Sequence, residues 1–208
     1  VNWGNICGSI SNQTDLQNSF LKLDQTIPQN VSGGTPQFDS LKLNPDSGLT
    51  YTHNDGVLHW NYNEDTLEVD MSVPDVRLQV GRETHVKVKN VSGSLIPNGS
   101  VVYPTGAENG LPTINLASAI TPTKQIGITT HDIPDGDIGI VTIFGKVRNL
   151  NTSGYTEGTF IYVSVTPGEF TDTIPSAPYN KLSLGLVVKQ DATDGVIILD
   201  YKGIFGLN

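Results

Sequence analysis

The chain has 208 residues, with 21 acidic against 12 basic side chains and a formal net charge of −9 at pH 7. That length holds one sizeable core or two small ones and excludes a long multidomain enzyme, while the acid excess leaves no broad basic surface for phosphates and excludes nucleic acid as a partner. With 22 Gly and 12 Pro among many Thr, Ser, Asn and Val, turns and strands are expected rather than long helices, so the expected fold class is mainly β. The lone Cys7 builds neither a disulfide framework nor a thiolate zinc site. No apolar run approaches the roughly 18 residues of a membrane helix. The first lysine is Lys22, so a basic region followed by an apolar one is lacking at the N-terminus. The expectation is a soluble chain without a signal peptide or membrane insertion.

In chain order, residues 1–17 are rich in glycine and polar side chains without a period, which suits an extended segment anchored by Trp3, Ile6 and Ile10. Thr14 with Gln17 three residues on reads as a capping box, Asp15 suits the first helical turn and Pro28 ends the run, predicting a helix over 15–27. Leu16, Phe20, Leu23 and Ile27 recur at intervals of 4, 3 and 4, the spacing of a coiled-coil seam. So short a helix is marginal alone in water. Its partner is either the chain's own sheet or copies of the same helix, and periodicity leaves both open. The loop composition after Pro28 places a linker there.

From Leu49 the pattern turns to period two, and Asp55-Gly56 reads as a two-residue hairpin. That turn sets Leu49 opposite Tyr62, Tyr51 opposite Trp60 and His53 opposite Leu58. A second turn at Asn63–Asp65 sets Tyr62, Trp60 and Leu58 opposite Leu67, Val69 and Met71. Both turns put the large side chains on one buried face and Thr66, Glu68, Asp70 and Ser72 on the other, which predicts a three-stranded meander. Beyond Pro74 a second alternation starts at Val76, with Leu78, Val80, Val86 and Val88 on one face and His85, Lys87 and Lys89 on the other. Apolar runs follow at 101–103, 126–130, 138–147, 159–165, 182–188 and 196–201, a spacing that suits a β-sandwich or small barrel. The runs at 138–144 and 160–165 are apolar on both faces and are expected to be central, and 191–195 is expected to join the last two strands as a hairpin. The expected organisation is therefore an N-terminal segment and helix at 1–30, a meander at 31–75 and a sandwich or barrel module at 76–208.

Catalytic signatures are absent from the sequence. There is no nucleophile elbow and no paired-histidine zinc motif. Gly139–Lys146 only superficially resembles a phosphate loop, since its glycines are one residue too far apart and Val147 stands where Ser or Thr is needed. His53, His59, His85 and His131 fall on separate elements, with His53 and His59 expected on opposite faces of one hairpin, which argues against a shared metal. Asp132, Asp135 and Asp137 form the densest carboxylate group. They lack the alternate ligands and bidentate Glu of a calcium loop and read better as a turn in which Asp bonds local backbone. Tyr51, Trp60 and Tyr62 would make an aromatic platform for sugars, although the expected register makes them core or interface residues. No cofactor is expected.

The stretch WGNICGSISNQTDLQ, Trp3 to Gln17, resembles the segment Trp-Gly-x-Ile-x-Gly-x-Leu-Ser-x-Gln-Thr-Asp-Leu near the start or attachment region of phage fibre proteins, with Ile10 in the Leu position. Two further stretches, Leu78 to Ala117 and Ile126 to Pro178, resemble a β module of phage tail fibres, head fibres and related appendages. The resemblance covers more than half of the chain. It implies a homotrimeric, non-enzymatic structural protein of the virion, assembled in the host cytoplasm, with Trp3, Ile6 and Ile10 docking on a capsid or tail protein. It also implies that Leu16, Phe20, Leu23 and Ile27 close a three-stranded bundle. Within that class the expectation is a short head fibre or capsid decoration, and the alternative is a receptor-binding tail fibre with affinity for a host surface glycan. An enzyme degrading surface polysaccharide is a third reading, with Asp132, Asp135 and Asp137 as the only dense acidic candidates.

Overall fold

A computed structural model describes Leu43 and residues 52–120 and 127–199, all in the second of the two units into which the chain divides, Leu43–Asn208. The anchor residues Trp3, Ile6 and Ile10, the expected helix with Leu16, Phe20, Leu23 and Ile27, and Tyr51 lie outside the described residues. Those described are mainly β, with twelve strands in sheets of three and nine and no helix. No helix among them is long and apolar enough to cross a membrane.

The small sheet is antiparallel, in the order β1 (Leu58–Asn61), β2 (Thr66–Asp70), β3 (Arg77–Gln79). It differs from the expected meander in several ways. At Asn54–Val57 the Val57 N–H bonds the Asn54 carbonyl and Gly56 alone has positive φ (75°). This is the geometry of a type II turn, which does not continue the twist of a hairpin as a type I′ turn does. Residues 52–54 accordingly form no strand, and His53 does not pair with Leu58. The β1–β2 loop is Tyr62–Asp65, where the Asn61 side chain accepts the N–H groups of Asn63 and Glu64 and Asp65 adopts φ 49°. Leu58 therefore faces Val69 and Trp60 faces Leu67, two residues from the expected register. A slip of two keeps the faces and a slip of one exchanges them. The third strand comes from beyond Pro74, pairing Glu68, Val69 and Asp70 with Gln79, Leu78 and Arg77.

The buried face is the reverse of the expected one. Thr66, Glu68, Asp70 and Gln79 are buried. Leu58 and Val80 are 44% and 45% exposed, Trp60, Leu67, Val69 and Leu78 are half-buried, and Tyr62 stands exposed in its loop. Alternation fixes which residues share a face, but not which face goes inward.

In the large sheet, β4 (Thr84–Asn90), β5 (Val101–Glu108), β6 (Leu111–Leu116), β7 (Gly127–Thr129) and the first half of β8 (Ile138–Leu150) pair in the cycle β8–β4–β6–β5–β7–β8, a closed ring. β4 and β6 run parallel, and the other pairs of the ring are antiparallel. Closure is tight at Gly127, where a Cβ would stand 2.1 Å from the Thr142 carbonyl oxygen. The second half of β8 leaves the ring and pairs with β12 (Gly195–Leu199), followed by β11 (Ser183–Lys189), β9 (Phe160–Val163) and β10 (Phe170–Thr171). The change of partner falls at Gly145, with φ 96°, where a Cβ would meet the Arg82 carbonyl oxygen at 2.4 Å. All six expected apolar runs contain strands, and β11 and β12 are joined through 190–194 as a hairpin. β6, β10 and the pairing of β3 went unread.

Two cores follow from alternation. Val88, Ile96, Val102, Ile114, Ile133 and Val141 form one cluster. Val101, Ile128, Val147, Ile161, Val187 and Ile197 belong to the other, with β9, β11 and β12. Adjacent Val101 and Val102 point into different clusters, as a strand's period of two requires. Each fully buried Val or Ile contributes about 1.5–3 kcal/mol of transfer free energy.

Candidate functional site

The polar face of the small sheet and the middle of β8 enclose the most chemically dense region among the described residues. Gln79 joins two buried carboxylates, its Nε2 donating to Glu68 Oε1 and its backbone N–H to Glu83 Oε2, both at 3.0 Å. Asn61 Nδ2 also donates to Glu68 Oε1, at 2.8 Å. From β8, which alternates apolar Val147 with charged Lys146 and Arg148, Lys146 pairs with Glu64 and the Arg148 guanidinium donates to Glu83 Oε1 at 2.5 Å. On β4, His85 Nε2 lies 3.8 Å from Glu83 Oε2.

These environments set the proton affinities. Burial pushes the Glu83 carboxyl up, against the pull of Arg148 and the Gln79 N–H. Burial first, and the Arg148 charge second, lower His85 to about 4, so it is neutral at pH 7. The hydrogen bond from Lys146 holds Glu64 below the usual carboxylate range.

A cavity of about 180 Å³ opens between these elements, its wall including Glu68, Arg77, His85, Thr142, Lys146 and Arg148. Four of those residues carry a buried polar atom without a hydrogen-bond partner in the protein: Glu68 Oε2, His85 Nδ1, Thr142 Oγ1 and Arg148 Nη2.

The structure also corrects the expected separation of His53 and His59. His53 Nδ1 and His59 Nε2 each lie 3.6 Å from Asp70 Oδ1, and His59 Nε2 lies 3.6 Å from Glu68 Oε2. With β1 starting only at Leu58, His53 reaches back across the sheet, its Nε2 3.0 Å from the Met71 carbonyl. Arg77 Nε donates to the same Asp70 oxygen at 3.3 Å. No group of three or more His, Cys, Asp and Glu among the described residues is arranged to hold a metal.

The acidic turn lies elsewhere. Asp132 Oδ1 accepts the Asn98 N–H and Asp135 Oδ1 the Gly93 N–H, both at 2.8 Å, and the Asp137 carbonyl accepts the Asn90 N–H. These residues tie the 92–98 loop to the turn. His131 stands beside Thr130, 3.3 Å from its hydroxyl, with its proton affinity lowered by burial against the opposing charge of Asp132.

A second, wider groove of about 520 Å³ is lined by Asn98, Leu116, Asn151, Glu169 and the tilted pair Tyr155 and Phe170, whose ring centroids are 5.2 Å apart. The Tyr155 hydroxyl donates to the Phe170 carbonyl at 2.9 Å. Burial, then Asp172 and Glu169, raise its proton affinity.

Sequence reasoning read Glu64 only as part of the turn at Asn63–Asp65, without its Lys146 partner, and missed Glu68, Gln79, Glu83, Lys146 and Arg148 as site residues. For Glu68 the signal was the alternation of Thr66, Glu68 and Asp70 in β2, whose face was taken as the outer one. No protein-family model and no curated protein matches the chain.

Proposed function

We propose that this chain is a structural protein of a bacteriophage particle, a homotrimeric fibre or surface decoration anchored by its N-terminal segment and presenting the β-rich part outward. The resemblance of Trp3–Gln17 and of the two longer stretches to phage fibre segments supplies the phage context. The observation that carries self-association is the open apolar face of the small sheet, where Leu58, Trp60, Leu67, Val69, Leu78 and Val80 stand together by register and Leu58 and Val80 remain 44% and 45% exposed. A contiguous apolar face with a Trp on it is what a chain that buries it against others presents. In this reading Trp3, Ile6 and Ile10 dock on a capsid or tail protein, and Leu16, Phe20, Leu23 and Ile27 set the trimer's register. The finer architecture belongs to the same proposal: a short trimerisation helix, then a sheet that seats three chains together, then a small barrel closed by β4–β8 and extended by β9–β12.

The test is deletion of residues 1–12. The truncated protein is expected to keep its oligomeric mass and fail to enter particles, and normal incorporation would overturn the anchor assignment. A receptor-binding role with glycan affinity is the second reading. The groove at Tyr155 and Phe170 favours it, because it joins an aromatic wall to the amides of Asn98 and Asn151 and the Glu169 carboxylate.

A further inference from the structure

The groove at Tyr155 and Phe170 has a fixed frame. Phe170 opens β10, and the turn before it is tied to neighbouring segments, since the Val101 N–H donates to the Gly168 carbonyl at 2.8 Å and the Gly168 N–H to the Ala117 carbonyl at 2.7 Å. The Tyr155 hydroxyl is bonded to the Phe170 carbonyl, which holds the two rings as a tilted pair. Leu116, Pro97 and Pro167 extend the apolar wall. The volume, about 520 Å³, falls within the roughly 300–1,000 Å³ of small-molecule sites.

Most of the polar lining is committed within the protein. Asn98 Nδ2 donates to the Asn149 carbonyl at 3.0 Å, and Asn151 Oδ1 accepts the Ser153 N–H at 3.2 Å and its hydroxyl at 2.7 Å. Glu169 is the exception. It is the one charged residue among the described residues of the lining, it is exposed, and no basic side chain among the described residues pairs with it. The two charges that act on the Tyr155 hydroxyl, Asp172 and Glu169, are both negative and add to the effect of burial. Aromatic rings attract cations through the negative potential of their faces, and a carboxylate beside them adds to that attraction. An anion is repelled there, and a neutral polar molecule meets few uncommitted side chains.

We propose that the groove lined by Tyr155, Phe170 and Glu169 binds a small organic cation, an ammonium group carried on an apolar or sugar frame. The inference concerns the groove of the glycan reading but stands without it, because charge and aromatic surface carry it rather than recognition of hydroxyls.

The test is two-dimensional NMR of the full-length protein titrated with two cations and their neutral counterparts. Choline is compared with 3,3-dimethyl-1-butanol, in which carbon replaces the nitrogen, and protonated glucosamine with N-acetylglucosamine; glucuronate serves as the anion. At least one cation is expected to shift the Tyr155, Phe170 and Glu169 resonances saturably and to bind about threefold more tightly than its counterpart, the scale of an exposed cation–π contact beside one carboxylate. The tighter of the two cations then identifies the frame. Glu169→Gln, at an exposed position, should keep the fold and remove most of that preference, and Phe170→Leu should weaken the cation about threefold. The assignment is overturned if neither cation binds these residues more tightly than its neutral counterpart, or if glucuronate binds as tightly as glucosamine. In that case saturable shifts from N-acetylglucosamine would still sustain the glycan reading, and their absence would remove it as well.

Discussion

At Glu83 a carboxylate whose side chain is 1% exposed is held by the Arg148 guanidinium and the Gln79 N–H. Removing one partner of a buried ion pair strands the other, and the stranded charge, not the lost attraction, dominates the loss. Arg148→Met should therefore cost about 3 kcal/mol in urea denaturation, and adding Glu83→Gln should recover much of it. A single-variant loss near zero would mean that Glu83 is not buried as described. His85 gives a pH signature. Its pKa falls from 6.5 to about 4 on folding, so between those values the unfolded chain binds more protons than the folded one. Its contribution is full above pH 6.5 and is lost as pH falls towards 4, on the order of 3 kcal/mol in all. Glu83, with its raised pKa, acts in the opposite sense, gaining stability as pH falls through its folded value. The comparison must therefore be between wild type and His85→Gln. The variant should lose less stability than the wild type between pH 7 and pH 4, and parallel curves would refute the assignment.

Among the elements, the turns show why some strands were legible and others were not. Asn109-Gly110 joins β5 to β6 with both residues at positive φ, 51° and 80°, the two-residue turn that hairpins favour, yet Pro104 and Pro112 in the flanking strands hid the pattern. Asp55-Gly56 carries the same kind of signal and makes a type II turn instead, because the chain leaves it towards Asp70 rather than pairing back on itself. The apolar strands β8, of 13 residues, and β9, of four, were readable because residues on both of their faces are buried. The polar face of β2 was not, since periodicity fixes which residues go together while burial depends on what meets them, here Asn61, Gln79 and His59 at Glu68 and His53, His59 and Arg77 at Asp70. Gly145 marks another element-level decision, the point where β8 passes from β4 to β12. Gly145→Ala adds a Cβ against the Arg82 carbonyl at positive φ and should destabilise by about 2–3 kcal/mol in thermal or urea unfolding. A change below about 0.5 kcal/mol, the usual span of a surface substitution, would show that the strand needs no kink there.

For the molecule as a whole, the distribution of polarity is inverted in the small sheet relative to the ring. The ring and its extension bury Val, Ile and Leu in two clusters, as a chain folding alone would. The small sheet turns Glu68, Asp70 and Gln79 inward and leaves Leu58, Trp60 and Val80 on its outer face. Carboxylates are buried only where partners satisfy them, and apolar faces stay open only where something else covers them. Additional copies of the same chain cover such a face with the least specialised chemistry, because each copy brings the same surface. The measurement that bears most directly on this is the solution mass of the full-length protein by light scattering coupled to size exclusion. A trimer at three times the 22.3 kDa chain mass is the expected result, and a clean monomer across the accessible concentration range would contradict it.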